Sequence, residues 1–196
     1  SHLESRDGLP PILSQEQLKA IVEVAHAQDK LALGQAVFPE EAEMALAAGV
    51  DQLMSWPSRA VPMPDDLIQS LVDDAVPVLS GFNITPPQEG DVRRFLDAGG
   101  TLGFGTYAPN SGPVDSPYRE FQVMLIFEMT PMEMIQSATA NAANAVGLGD
   151  QIGTLETGKK ADIIVVDGDP LQEFRVMREV IYVVKGGDLV VQPVGE

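Results

Sequence analysis

Leu31-Ala32-Leu33-Gly34-Gln35-Ala36-Val37-Phe38-Pro39-Glu40-Glu41-Ala42-Glu43-Met44-Ala45-Leu46-Ala47-Ala48-Gly49 holds one complete structural phrase of this chain. Leu31 to Val37 is an apolar run too short for a helix, Pro39 ends it, and Glu40 to Ala48 reads as a helix that stops at Gly49. The same phrase recurs three times. Val50 to Met54 precedes a helix at Pro64 to Asp73, Val76 to Leu79 precedes one at Gly90 to Ala98, and Thr101 to Gly105 precedes one at Pro117 to Glu128. Four strand-helix units in series predict neighbouring parallel strands, because each return crossover carries a helix.

Outside these units the pattern changes. Upstream, Ser14 and Gln17 form a capping-box pair that opens a helix over Gln15 to Gln28, with Leu18, Ile21, Val22 and Ala25 as its apolar stripe. Downstream, Thr130-Pro131 opens a helix running to about Val146, ended by Gly147 and Gly149. The remainder reads as β structure at Ala161 to Asp167, Val180 to Lys185 and Leu189 to Gln192, with turns at Asp167-Gly168-Asp169-Pro170 and Lys185-Gly186-Gly187-Asp188 and a helix over Leu171 to Met177. The division expected is 1–146 for the strand-helix units and 147–196 for the β-rich segment.

Composition narrows the function classes. The chain has 196 residues, 44% of them hydrophobic, enough for a buried core. Its formal net charge of −17 argues against phosphate-backbone contacts and against docking on an anionic membrane, so neither nucleic acid nor membrane is an expected partner. With no cysteine, thiolate catalysis and cysteine-ligated metals are excluded. No stretch reaches the roughly 18 apolar residues of a membrane span, and no signal-like apolar core follows the N-terminus. Ser1-His2-Leu3-Glu4 resembles the scar of a cleaved tag. A soluble protein is expected, with the cytoplasm favoured.

The tail carries a recognisable pattern. Ala138-Thr139-Ala140-Asn141-Ala142-Ala143 leads into Leu148-Gly149-Asp150-Gln151-Ile152-Gly153-Thr154-Leu155-Glu156-Thr157-Gly158-Lys159-Lys160-Ala161-Asp162-Ile163-Ile164-Val165-Val166-Asp167-Gly168-Asp169-Pro170-Leu171 and closes on Val184-Lys185-Gly186-Gly187. This resembles the C-terminal signature of the amidohydrolase superfamily, in its imidazolonepropionase and prolidase-like branch. The resemblance implies an α/β fold: half of a (β/α)8 TIM-type barrel, units five to eight, plus the C-terminal share of a small β-sandwich built from both chain ends. A full barrel takes about 250 residues. Half of one is expected to leave two unpaired strand edges and an apolar inner face.

The resemblance also implies where chemistry should sit. Relatives carry a histidine at the end of the fifth strand, where this chain has Gly34, Gln35 and Ala36. They carry another ending the sixth strand, where Ser55 stands, and a carboxylate after Gly-Thr on the eighth, where Gly105-Thr106 is followed by Tyr107. A hydrolytic metal needs about three or four converging donors. Only His2 and His26 are present, and His26 lies on a helix in a solvent-facing or capping role. No metal or other cofactor is expected.

Polar and aromatic residues fill the vacated positions. Tyr107, Gln35 and Ser55 are the candidate catalytic groups, while Phe38, Trp56, Phe82 and Asn83 are candidate substrate contacts at the strand ends. Plain packing explains the same residues equally well, Trp56 above all. Gly99-Gly100, Gly103 and Gly105 lack the order of a dinucleotide fingerprint, and Lys159-Lys160 reads as a solvated pair. Three readings remain open: an amidohydrolase-like protein binding or acting on a small organic molecule by metal-independent lyase, isomerase or cyclase chemistry; a non-catalytic scaffold or partner subunit; and the C-terminal piece of a larger hydrolase. A homodimer, or a complex with a complementary barrel half, is the expected assembly.

Overall fold

The computed structural model describes residues 13–59, 61–82, 85–106 and 117–191. The first helix, α1 (Gln15–His26), starts where the capping pair places it: Ser14 Oγ accepts the Gln17 N–H at 3.3 Å, and Gln17 Oε1 accepts the Ser14 N–H at 2.8 Å. Four strands then alternate with helices: β1 (Leu33–Gly34), α2 (Pro39–Ala48), β2 (Gln52–Leu53), α3 (Asp65–Asp73), β3 (Val78–Leu79), α4 (Asp91–Asp97), β4 (Leu102–Gly103) and α5 (Pro117–Ile126). The strands form one sheet in the order β1-β2-β3-β4, every pair parallel.

The ladders are shorter than the apolar runs that predict them, and the competing partners are visible. Glu41 Oε2 accepts the N–H groups of Val37 at 2.8 Å and Phe38 at 3.2 Å, drawing the end of the first run into the start of α2. At β4 the Phe104 N–H turns to the carbonyl of Ser137 at 2.9 Å.

Register places Leu53, Val78 and Leu102 side by side, and all three are buried. Gly34 shares their row, and a Cβ there would lie 3.2 Å from Ala45 of α2, so this is the helix-covered face. Leu33 and Met54 are exposed on the sheet at the β1-β2 side.

The last helix region is not one α-helix. It comprises α6 (Pro131–Gln136), a π-helical turn at Ser137–Asn141 and α7 (Ala142–Ala145). The irregular turn lies against β4. Ser137 O takes the Phe104 N–H, and Asn141 Nδ2 donates to Leu102 O at 2.9 Å. In a parallel ladder alternate residues bond to each side; Thr101, Gly103 and Gly105 accept from Val78, Ser80 and Gly81, so Leu102 and Phe104 face outward. The expectation of two open edges is therefore corrected, because the helix caps the outer edge of β4.

The tail is a three-stranded antiparallel sheet, β5 (Ile163–Val166), β6 (Val180–Lys185) and β7 (Asp188–Val191). Gln192 lies outside the described residues. The helix expected over Leu171 to Met177 is instead a short 3-10 turn at Phe174–Arg178, since Asp169 Oδ1 accepts the Leu171 N–H at 2.9 Å and holds the preceding residues in a turn. Phe174 docks this segment on the half barrel: its ring lies 5.0 Å from that of Phe121, which lies 4.5 Å from Phe104. All three aromatic rings belong to or pack on the one hydrophobic core.

Candidate functional site at the strand ends

The C-terminal ends of parallel strands are where barrel sites are built. Here the ends are stitched in pairs. Ser55 Oγ donates to the Ala36 carbonyl at 2.5 Å, joining the ends of β2 and β1. Ser80 Oγ lies 3.1 Å from both the N–H and the carbonyl of Gly105, accepting from one and donating to the other, which joins β3 to β4.

The candidate residues separate by exposure. Gln35 is exposed and Phe38 half-buried, whereas Ser55 and Trp56 are fully buried and Phe82 is 1% exposed. Trp56 is held edge-on between Phe82, at 5.5 Å, and Phe95, at 5.6 Å. Asn83 and Tyr107 lie outside the described residues, as does Asp115.

Three residues that sequence reasoning missed shape this end of the molecule. Glu120 of α5 is completely buried, and its Oε1 accepts the Phe82 N–H at 2.8 Å. Asp91 of α4 is equally buried; its Oδ2 accepts the Met63 N–H at 2.9 Å, and its Oδ1 pairs with Arg94 Nη1 at 2.9 Å. Arg94 Nη2 donates to the Met63 carbonyl at 2.9 Å and also to Asp65. Asp65 and Asp91 together hold the Arg94 guanidinium above its ordinary pKa, with Asp65 the larger influence. Met63 is thus clasped on both its backbone groups, fixing the far end of the loop that carries Ser55, Trp56 and Ser58. Asp91 and Glu120 each carried one sequence signal, as acidic residues in a first helical turn.

Buried polar atoms without partners lie on Gln15 of α1, on Gln52 of β2, and in the loops after β2 and β3. Among the described residues, Trp56 Nε1, Ser58 Oγ and Thr85 Oγ1 are buried and make no hydrogen bond. The two loops are linked by Gln88 Nε2, which donates to the Ser58 carbonyl at 3.4 Å.

Among the described residues no donor set fits a metal centre. Ser55 uses its hydroxyl proton on Ala36, and among the described residues no three histidine, aspartate or glutamate side chains gather around a point. His26 Nε2 instead meets Asp51 Oδ2 at 3.0 Å, and the same oxygen accepts the Ala32 N–H at 2.6 Å, before β1 and β2 begin. Burial pushes the Asp51 carboxyl upward, but the Ala32 N–H and His26 outweigh it and leave the pKa below its ordinary value.

Comparison with known proteins places this frame. The model of the amidohydrolase family matches residues 84–190. Imidazolonepropionase of Alkaliphilus oremlandii is 29% identical over 195 residues, covering 92% of this chain and 45% of that protein. Imidazolonepropionase of Geobacillus thermodenitrificans is 37% identical over 109 residues, covering 53% of this chain and 26% of the relative. Among solved structures, a Xaa-Pro dipeptidase with bound methionine superposes with a TM-score of 0.79 at 23% identity, over 94% of this chain and 50% of the other. An A. niger ochratoxinase superposes with a TM-score of 0.77 at 25% identity, over 92% and 46%. The curated relatives are longer: the chain spans less than half the length of either. No described helix is long and apolar enough to cross a membrane. With the family model matched over more than half of its residues, the chain belongs to the amidohydrolase family.

Proposed function

We propose that the strand-end face of this half barrel binds a small organic molecule and acts on it without a metal ion, by lyase, isomerase or cyclase chemistry. The observation that carries the reading is the set of buried, unpartnered hydrogen-bonding atoms in adjoining loops, Trp56 Nε1, Ser58 Oγ and Thr85 Oγ1, on a frame whose ligand positions are filled by Gln35, Ser55 and Tyr107. Native interiors rarely leave such groups unsatisfied, so polar atoms supplied by a ligand suit them. In this reading Gln35 is the accessible amide, Tyr107 the proton-transferring group and Ser55 the residue that fixes two strand ends. Phe38, Trp56, Phe82 and Asn83 supply walls and one further amide. A small-molecule screen by thermal shift tests it. A binder is expected whose stabilising shift falls in Gln35→Ala and Tyr107→Phe while the ligand-free melting temperature holds. A binder indifferent to both substitutions, or none at all, favours a non-catalytic scaffold or partner subunit.

The length relation supports a second reading, that the chain is the C-terminal piece of a larger hydrolase, since it spans about half of several similar solved chains. Intact-mass analysis of the endogenous protein distinguishes the two. A product about twice this size favours the second reading.

A further inference from the structure

Ser55, Trp56, Pro57 and Ser58 are all buried, and so are Thr85 and Pro87 in the loop after β3. Ser58 Oγ and Thr85 Oγ1 make no hydrogen bond, although this chain alone shuts both away from solvent. Keeping a hydroxyl dry without a partner is unfavourable, so the closed arrangement of these loops is held against a cost.

The two loops are unequally anchored. On the β2 side Ser55 Oγ is tied to the Ala36 carbonyl, the Arg59 N–H donates to the Val37 carbonyl at 2.9 Å, and Met63 is clasped through both backbone groups. On the β3 side the segment Thr85-Pro86-Pro87-Gln88 includes two prolines, which have no N–H to give. The Thr85 N–H goes to the Gly81 carbonyl at 3.1 Å, and the Gln88 carbonyl takes the Asp91 N–H at 3.2 Å, both close neighbours in sequence. Among the described residues one hydrogen bond ties this segment to another loop, from Gln88 Nε2 to Ser58 O, at the long distance of 3.4 Å. Just beyond it Gly90 sits at φ +80°, where an added Cβ would meet nothing within 4 Å, so the backbone there is free to turn.

We propose that Thr85-Pro86-Pro87-Gln88 is a strap over Ser58 that opens by breaking the Gln88-Ser58 link and turning at Gly90, admitting a small hydrogen-bonding molecule to the Ser58 and Thr85 hydroxyls. The paired prolines keep the strap stiff, and it moves as a unit. The β2 loop, fixed at Ala36, Val37 and Met63, stays in place as the floor. The role of the strap rests on the proposed small-molecule ligand, but its opening does not.

Opening is measurable without any ligand, because the chain has no cysteine. Ser58→Cys and, separately, Thr85→Cys place one thiol where the native hydroxyl had no hydrogen bond to lose. Ala42→Cys, at a fully buried position of α2, reports global unfolding. The reaction of each thiol with a neutral maleimide under native conditions, referred to its rate in urea, follows the population of the open form. Ser58→Cys and Thr85→Cys are expected to react at least about tenfold faster than Ala42→Cys. Adding Gln88→Ala should quicken both about threefold or more and leave Ala42→Cys unchanged. Circular dichroism verifies each fold; should Ser58→Cys unfold, Thr85→Cys decides. Thiols at 58 or 85 protected as fully as the one at 42 overturn the proposal, as does a Gln88→Ala background that changes neither rate. A ligand screen without a binder leaves these rates untouched, so the strap and the ligand fail separately.

Discussion

Ser55 and Ala36 are joined by a hydroxyl-to-carbonyl hydrogen bond of 2.5 Å between two residues that are both wholly buried. At one of the positions where the family resemblance implies a metal ligand, this chain has a group that closes the sheet on itself. Ser55→Ala removes the donor and leaves the Ala36 carbonyl enclosed without it, at an expected cost of about 1–3 kcal/mol. Urea unfolding should show a lower midpoint with an unchanged slope. An unchanged midpoint would mean that the bond adds nothing to the fold.

Asn141 supplies the side-chain half of the cap on β4. Asn141→Ala should destabilise the chain by about 1–2 kcal/mol, and amide exchange across Leu102 to Phe104 should quicken as the irregular turn loosens. Exchange that stays as slow as in the unaltered chain would show that Ser137 alone holds this edge.

Asp51 makes stability depend on acidity in a defined direction. Its folded pKa lies below the ordinary value: burial alone would raise it, and Ala32 N–H and His26 reverse that. The contribution is therefore fully present above the unfolded carboxylate range, near about 4, and is lost as pH falls through the lower folded value. Asp51→Asn should narrow the stability difference between pH 6 and pH 3 in urea titrations. Identical acid limbs for the two proteins would rule out Asp51 as a source.

Gly153 sits at φ +98° in the loop joining α7 to the tail, and a Cβ there would lie 2.6 Å from Ala143 Cβ and 3.1 Å from Ala140 Cα. Gly153→Ala combines left-handed strain with a clash against backbone, and a loss of at least about 1–3 kcal/mol is expected. Thermal melting is the measurement, with Gly158→Ala as comparison: its φ is similar at +95°, but no atom approaches its added Cβ. Equal losses at both positions would show that strain alone acts at Gly153.

The strand-helix series was legible because each unit is local: an apolar run, a proline or acidic start, and a glycine stop all lie within about twenty residues of one another. What the sequence did not show is long-range. Ser137 lies far along the chain from Phe104, so nothing near β4 announced that its edge would be capped or that the last helix would break into a π turn. Glu120 reaches Phe82 across 38 residues, and Asp91 reaches Met63 across 28, spacings that no local pattern encodes. At the strand ends, residue type alone could not separate half-buried Phe38 from fully buried Trp56 and Phe82, because aromatic residues suit a pocket wall and a core equally well.

The ring stack Phe104-Phe121-Phe174 has a consequence for biosynthesis. As the chain emerges from the ribosome, Phe121 and the Phe104 ring it packs on appear before Phe174, and the Phe121 face that meets Phe174 stays uncovered until that segment has left the exit tunnel. A product stopped short of Phe174 would display that aromatic pair to chaperones and proteases, which act on exposed apolar surface.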